Sequence, residues 1–405
     1  MYDAIVVGAR CAGSPVAMLL ARLGRRVLVV DRATFPSDTI STATLWPPAV
    51  ARLARWGLRP EVERQGAPMF GALTLDAGPF RLTGTPPPAD GNRATSCCRR
   101  TILDQILVDA AAAAGAEIRQ GFTVTGLVTE EGTVTGVRGH GRGGREVTEQ
   151  ARVVLGADGL HSRVAAMVGA ARYHERPSLT CAYYSYFSGV EIEPTLAPRS
   201  RAAVGAMATN NGLTLGVVFV PALEAARFRE DPEGMFWAAM DLAPELGERL
   251  RAGRREERFH GTADLPNFFR VSHGPGWALL GDAGFHKDPI TGQGINDAFR
   301  DAEEAAGGIH RGLDDGGLDD HLRIYAEHRD AEVMPMYEFT LDMATLEPPT
   351  PELAALLEAL QGQPEHIDRF LGVLAATVPV TEFMAPENLE LIHSRPVGLA
   401  ATPPW

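Results

Sequence analysis

Continuous apolar runs and helical periodicity alternate at the start of the chain. Tyr2–Val7, apart from Asp3, and Val27–Val30 are apolar runs, as strands buried on both faces of a parallel sheet are. Ser14–Leu23 has apolar residues at helical spacing, and Gly24 follows it as a stop signal. The pattern therefore predicts a β-α-β unit of about thirty residues at the N-terminus.

The pattern of the remaining chain changes twice. Residues up to about position 170 favour α/β structure, the middle favours an antiparallel sheet rich in β-branched and aromatic residues, and the end favours helices. The predicted elements are helices at Pro48–Trp56 and Arg100–Ala114, strands within Glu117–Val137 and at Val153–Leu155, Leu179–Gly189, Leu213–Val220 and Trp277–Leu280, helices within Ile295–Arg329 and Pro351–Leu374, and a loop at Pro396–Trp405.

These elements predict an α/β fold built from two interleaved domains and a helical tail. We expect a Rossmann-like nucleotide-binding domain over residues 1–175 that returns over 271–310. A substrate-binding antiparallel sheet domain over 176–270 is inserted into it. A helical region over 311–405 completes the chain.

Charge and composition exclude some classes of function. The chain has 405 residues and a net charge of −13, which argues against nucleic acid as a partner. No apolar run is long enough for a membrane span, so we expect a cytoplasmic protein without a membrane partner. The four cysteines lack metal-ligand spacing, which predicts reduced thiols and no metal site.

The turn after the first strand is a dinucleotide-binding fingerprint with one departure. Gly8 and Gly13 occupy its first and third glycine positions, but Arg10 stands at the second, where the backbone approaches the diphosphate. Asp31 ends the next strand, where a ribose-binding carboxylate is expected. Alone, this turn leaves two alternatives open: a nucleotide site, or a degraded turn that binds nothing.

Two further strand ends carry polar motifs. In the first, Val154–Ala165, a buried strand leads into Asp158-Gly159 and a helix start. In the second, Trp277–Glu303, a strand ends at Gly281-Asp282, and Gly292-Gln293-Gly294 opens a helix. Such a helix start favours negative charge on a ligand.

These three motifs, in this order and at these distances, resemble the FAD-dependent monooxygenases of the aromatic-hydroxylase type, over roughly residues 1–310. The resemblance implies that an FAD-binding fold holds the cofactor at the three strand ends. Arg100 resembles the arginine that faces FAD in that family, and Asp158-Gly159 a region associated with nicotinamide. The predicted cofactor-binding residues are Gly8, Arg10, Gly13, Asp31, Arg32, Arg100, Val124, Asp158, Asp282, Pro289, Gly292, Gly294, Ile295 and Asn296.

The candidate catalytic residues are Lys287, His286 and Tyr184. Lys287 is the only lysine, and we expect a solvated loop lysine, with a cation near the flavin or the substrate as the alternative. Alternation along Thr180–Phe187 places Tyr184 and Tyr186 on one face of a strand and Tyr183 and Phe187 on the other. Phe219 and Phe285 are further candidates for the pocket wall, and we expect Arg10 to fold over FAD or the entrance.

The resemblance implies a monooxygenase that inserts one oxygen atom of O2 into an aromatic or polycyclic apolar molecule through a C4a-hydroperoxide of the flavin. NADPH or NADH is the implied reductant. The alternatives are a saturase that reduces isoprenoid double bonds, a two-component epoxidase fed by a flavin reductase, and a non-catalytic flavin-binding protein. A halogenase is disfavoured because its W-x-W-x-I-P motif is missing. A monomer and a homodimer both stay open.

Overall fold

The computed structural model describes residues 1–394. Its strands are β1 Tyr2–Val7, β2 Val27–Asp31, β3 Thr44–Leu45, β4 Met69–Phe70, β5 Leu73–Asp76, β6 Arg81–Gly84, β7 Thr95–Cys97, β8 Glu117–Gln120, β9 Thr123–Glu130, β10 Thr133–His140, β11 Glu146–Gly156, β12 Arg172–Arg176, β13 Thr180–Ser188, β14 Thr195–Arg199, β15 Ala202–Ala208, β16 Leu213–Pro221, β17 Arg254–Arg255, β18 His260–Thr262, β19 Asn267–Arg270, β20 His273–Gly274, β21 Trp277–Leu279 and β22 Phe285–His286.

Its helices are α1 Gly13–Arg22, α2 Pro47–Trp56, α3 Arg59–Arg64, α4 Arg100–Ala113, α5 Arg163–Met167, α6 Ala225–Glu230, α7 Pro232–Met240, α8 Pro244–Ala252, α9 Gly294–Asp315, α10 Leu318–Ala344, α11 Pro351–Ala359, α12 Pro364–Leu374, α13 Val380–Phe383 and α14 Pro386–Ser394. Among residues 1–394, no helix combines the length and the apolar character that crossing a membrane requires.

A mostly parallel sheet forms the nucleotide-binding core. Its strand order is β20-β21-β11-β1-β2-β8, and β1 pairs in parallel with both β11 and β2. Helices α1, α4 and α9 cover one face, and the hairpin β9–β10 packs on the other. Because parallel strands end at one edge, the turns after β1, β11 and β21 come together there.

The predicted antiparallel sheet is present, and it is larger than its predicted segment. Its order is β17-β13-β16-β15-β14-β5-β6, with β18 beside β13, and β13 pairs with β16 from Thr180↔Pro221 to Ser188↔Leu213. Strands β5 and β6 come from residues 73–84, far upstream of the middle segment. The two faces separate as expected: Tyr183 and Phe187 pack against helices α6–α8, and Tyr184 and Tyr186 face the opposite side.

The C-terminal part is helical, as predicted, but it is more divided. Gly316, in a left-handed conformation at φ 80°, ends α9, so the pattern over Ile295–Arg329 belongs to two helices. The segment 351–374 likewise divides into α11 and α12. Helices α6–α8 were not predicted from the sequence. The predicted loop at Pro396–Trp405 lies outside the described residues.

Candidate functional site

The turn after β1 is close-packed at both remaining glycines. A Cβ on Gly8, whose φ is +103°, would lie 2.3 Å from the carbonyl oxygen of Ala157. A Cβ on Gly13 would lie 1.8 Å from the carbonyl oxygen of Gly8. Both positions therefore require glycine, and α1 starts directly at the turn with no side-chain cap on its first N–H groups.

The side chain of Arg10 leaves the turn sideways. Its guanidinium donates hydrogen bonds to Asp104 Oδ2 at 2.5 Å, to Ser37 Oγ at 2.9 Å and to the carbonyl oxygens of Ser37 and Asp38. It also lies over the ring of Phe35, 5.3 Å from the centroid. The turn is thus intact, and Arg10 fastens the segment that follows β2 to it.

Asp31 ends β2 and faces the same turn. Its carboxylate accepts hydrogen bonds from the backbone N–H of Ala9 and of Ala33, both at 2.7 Å. Each oxygen keeps a lone pair, which suits a ribose hydroxyl as donor. Arg32 is exposed beside Asp31, and Val124 is buried under the sheet edge in β9.

Asp158 and Asp282 differ in what their carboxylates do. Asp158 accepts hydrogen bonds from Ser162 Oγ and from the N–H groups of Arg163 and Val164, so it caps α5. Asp282 is exposed at the strand end and faces open space. Between these two acids, Asp282 is therefore the better placed to meet a ligand hydroxyl.

The start of α9 is open for a ligand. Gly292 adopts a left-handed φ of 65°, and a Cβ on Gly294 would meet nothing within 4 Å. The helix has no side-chain cap, and Pro289 and Ile295 flank the turn. Asn296 is held by Arg52 and Gln293. The exposed N–H groups of this turn can bind a polar or anionic ligand edge.

Arg100 is the predicted FAD-facing arginine, and the structure pairs it with an acid. Its guanidinium donates two hydrogen bonds to Asp104, a carboxylate that is completely buried at the first turns of α4. Burial opposes the charge, but Asp104 outweighs it and raises the pKa of Arg100. Asp104 thus binds both Arg100 and Arg10.

The residues at these strand ends match the groups that FAD presents. The turn at Gly8–Gly13 and the uncapped start of α1 suit a diphosphate, Asp31 suits a ribose, and the open start of α9 suits the pyrimidine edge of a flavin. The three sites lie on one edge of the sheet. The donor and acceptor set therefore fits FAD, including the arginine in the fingerprint.

A cavity lies between the α9 turn and the antiparallel sheet. It is lined on the cofactor side by Pro289–Gly292 and by Thr42, Thr44 and Trp46, and on the sheet side by residues of β5, β14, β15 and β16 together with Pro194 and Leu374. Phe219, a predicted wall residue, lines it. None of the lining side chains within residues 1–394 carries a charge.

Lys287 is not a solvated loop lysine, which corrects that expectation. Its side chain is 4 % exposed, pairs with Asp297 and lies 4.9 Å from the ring centroid of Phe285. Asp297 also binds Arg300, and Arg300 binds Asp301. Two cations and two acids therefore form a buried, charge-balanced network under the start of α9.

His286, Phe285 and Tyr184 lie outside the cavity wall. His286 Nδ1 lies 2.6 Å from the carbonyl oxygen of Pro266, which it binds as donor, and Phe285 packs against Phe269 rather than on the cavity. Tyr184 faces the cofactor side of the sheet and stacks on His260. Burial raises its pKa to about 12. Their catalytic roles stay predictions.

Sequence reasoning missed the segment after β2 and the acid in α4. Thr42, Thr44 and Trp46 line the cavity, and Asp104 joins the two arginines. The four-residue spacing of Arg100 and Asp104 on a helix was a signal for their pairing. Nothing in the pattern of 37–46, which lacks regular periodicity, indicated its place at the site.

Comparisons with known proteins agree with this geometry. The family model described as "FAD binding domain" matches residues 1–230. Digeranylgeranylglycerophospholipid reductase 1 of Methanopyrus kandleri is 28 % identical over 369 residues, which cover 86 % of this chain and 91 % of that protein. Menaquinone reductase of Mycolicibacterium smegmatis is 29 % identical over 314 residues, 73 % of each chain.

Solved structures share the fold at lower identity. The flavin-dependent brominase Bmp2 superposes with a TM-score of 0.82 at 18 % identity, covering 96 % of this chain and 97 % of that one. PqsL of Pseudomonas aeruginosa, described as a probable FAD-dependent monooxygenase, gives 0.70 at 22 % identity, covering 92 % and 99 %. Because the family model spans more than half of the chain and the site fits its cofactor, this protein belongs to the FAD binding domain family and is a flavoprotein oxidoreductase.

Proposed function

We propose that this flavoprotein reduces a carbon–carbon double bond in an apolar, isoprenoid-type substrate. The observation that carries the proposal is the cavity, whose lining side chains, among the described residues, are apolar or bear hydroxyl groups, apart from the indole of Trp46, whose N–H donates to the carbonyl oxygen of Thr291. An apolar chain enters such a wall without leaving a buried charge unpaired. The similarity to reductases of geranylgeranyl lipids and of menaquinone supports the same substrate class.

FAD held by the Gly8–Gly13 turn, Asp31 and the start of α9 would, once reduced, supply hydride-transfer chemistry. The residues of the chain contribute by positioning the substrate and by excluding water from the cavity. Leu215, Val217 and Phe219 of β16 form an apolar floor opposite the Pro289–Gly292 turn. A double bond held between this floor and the turn is shielded from water. The second carbon needs a proton, and the lining hydroxyls able to pass one from water belong to Thr42, Thr44 and Thr291 on the cofactor side and to Thr74 and Thr195 on the sheet side.

NADPH or NADH is the reductant that we propose for the resting flavin. A separate flavin reductase or another electron donor is the alternative source. Anaerobic mixing of the oxidised holoenzyme with each nucleotide distinguishes the two electron sources. Rapid bleaching of the flavin absorbance supports direct reduction by the nucleotide. No bleaching by either nucleotide contradicts it.

A monooxygenase acting on an aromatic substrate is the second candidate. Phe219 and Trp46 give the same cavity two aromatic walls, which suit a flat ring. A cavity that excludes water also serves oxygen transfer. The two candidates differ in the fate of the electrons and not in the shape of the site.

One experiment separates the candidates. The chemically reduced holoenzyme is mixed under argon with geranylgeranyl lipid or menaquinone, and separately in air with phenols and indoles. Reoxidation of the flavin under argon, with a product whose carbon–carbon double bond has gained two hydrogens, supports the reductase; in deuterated water both are deuterium, because the transferable hydrogen of reduced flavin exchanges with solvent. Substrate oxidation that requires air, with one atom gained from labelled O2, contradicts the reductase and supports the monooxygenase.

A further inference from the structure

The arginine in the fingerprint turn belongs to a group of three charged side chains. Asp104 lies between Arg10 and Arg100, with the nearest oxygen–nitrogen distances at 2.5 and 2.9 Å. Its side chain is fully buried, and the arginine side chains are 25 % and 11 % exposed. Two guanidinium groups and one carboxylate leave one unit of positive charge in this group.

Within residues 1–394, neither arginine forms an ion pair with another acid, and the Asp31 carboxylate at the same turn accepts backbone N–H groups instead. The thiol of Cys11 donates to Asp104 at 3.4 Å, and burial raises the pKa of this thiol, so it stays neutral. The next acid that acts on Arg100 is Asp282, which is exposed, so water screens it. The excess positive charge therefore lies beside the start of α1, whose helix dipole is also positive at that end.

The same side chain holds the backbone of the segment after β2. Three of the four hydrogen bonds of Arg10 go to Ser37 and Asp38, and the segment continues to Thr42 in the cavity wall. A glycine at position 10 would supply closer backbone approach to a diphosphate but neither the charge nor these bonds.

We propose that Arg10 is a positioning residue for FAD that takes the place of the missing glycine electrostatically. By sharing Asp104 with Arg100, it leaves a net positive charge next to the diphosphate turn. The segment 37–38 is fastened by the same guanidinium and closes the turn from one side. Restoring the fingerprint glycine thus weakens the hold on FAD.

The test measures the rate of FAD release from diluted holoenzyme, followed by the gain of flavin fluorescence. Arg10→Gly and Arg10→Ala neutralise the group, and we expect each to release FAD about tenfold faster, the equivalent of one partly buried charge interaction. Arg10→Ala serves as control for the added flexibility of glycine. If the difference in FAD release rate is electrostatic, added salt reduces it.

The double variant Arg10→Ala/Asp104→Asn decides the mechanism. It restores one net positive charge through Arg100 alone, so we expect its FAD release to return to within about threefold of the original rate. Ser37→Ala removes one bond to the segment but no charge, and we expect a change of less than about threefold. Melting temperature and circular dichroism of each holoprotein report the fold.

Four results would overturn the proposal. If Arg10→Gly releases FAD as slowly as the original chain, a glycine at position 10 is sufficient to hold FAD. If the double variant releases FAD as fast as Arg10→Ala, charge is not the cause. The same conclusion follows if Ser37→Ala releases FAD as fast as Arg10→Ala. If Arg10→Ala purifies without flavin, bound FAD in the double variant supports the proposal and its absence contradicts it.

Discussion

Two regions at the start of α9 lie side by side and have opposite chemistry. Under the turn, Lys287, Asp297, Arg300 and Asp301 form a buried network of two cations and two acids. Above it, Pro289–Gly292 faces a cavity whose lining side chains, within residues 1–394, are all uncharged. The two regions share one short stretch of chain.

The difference shows what buried charge does in this molecule. Asp301 accepts a hydrogen bond from the N–H of Gly281 at 3.0 Å, and so the network fixes the strand end that carries Asp282. The charges hold the backbone, and the cavity is left free for an apolar ligand. The four charged residues of this network therefore stabilise the backbone at the start of α9, whereas Asp31 and Asp282 at the other strand ends can meet a ligand.

The largest expected effect comes from unbalancing the network. Lys287→Met leaves one excess buried negative charge, and we expect the free energy of unfolding to fall by about 3 kcal/mol. Denaturant unfolding of the holoprotein measures it. Arg323→Met is the matched control, since its pair with Glu327 is exposed, and it should cost about 0.5 kcal/mol or less.

A second variant tests the reason for that loss. Lys287→Met/Asp297→Asn is balanced again, so it should lose less than the sum of the two single variants. If Lys287→Met retains full stability but loses turnover, the network is not scaffold and Lys287 acts on the flavin or the substrate.

The next effect tests the uncharged cavity. Val217→Thr is nearly isosteric and adds one hydroxyl to the floor, and we expect about 1–2 kcal/mol of lost stability and about a tenfold higher KM for an apolar substrate. Val218→Thr is the matched control, because Val218 is buried on the opposite face of the same strand. It should lose similar stability with an unchanged KM; equal changes in KM for both variants would contradict the location of the substrate.

Much of the fold could be predicted because its signals are local. The apolar runs of β1, β2 and β21 and the Gly24 stop are short-range features, and the structure has them within one or two residues. Helices α6–α8 were missed, and the pairing of β5 with β14 was not indicated, since residues 73–76 and 195–199 meet only through the tertiary fold.

The site was predictable where backbone geometry dictates residue type. Gly8 and Gly13 are required by close packing, and the three strand ends converge as parallel topology demands. Burial of Lys287 could not be read from its loop, because its partner Asp297 lies on the following helix. The same holds for Arg10, whose partners come from two other segments.

A smaller effect concerns acid stability. Burial alone raises the pKa of Asp297, but Lys287 and Arg300 outweigh it and hold that pKa below its usual value. A lowered pKa in the folded state gives stability that is complete above the unfolded value, near pH 4, and is lost as the pH falls through the folded value. The stabilities of the original chain and of Asp297→Asn should therefore differ most at neutral pH, and the gap should narrow as the pH falls below about 4. A constant gap would contradict this assignment.

The smallest expected effect is at Tyr184, which lies between the two regions. Its side chain is buried and polar, and it lies one strand away from the cavity lining. Its pKa of about 12 keeps the phenol protonated in any working buffer. Tyr184→Phe removes only the hydroxyl, which should cost about 1 kcal/mol of stability and leave the pH profile of turnover unchanged from about pH 6 to 9. Tyr183→Phe, on the opposite face, is the control. A changed pH profile or a large loss of turnover in Tyr184→Phe alone would show that a proton passes through this phenol, and the reacting group would then extend beyond the uncharged cavity.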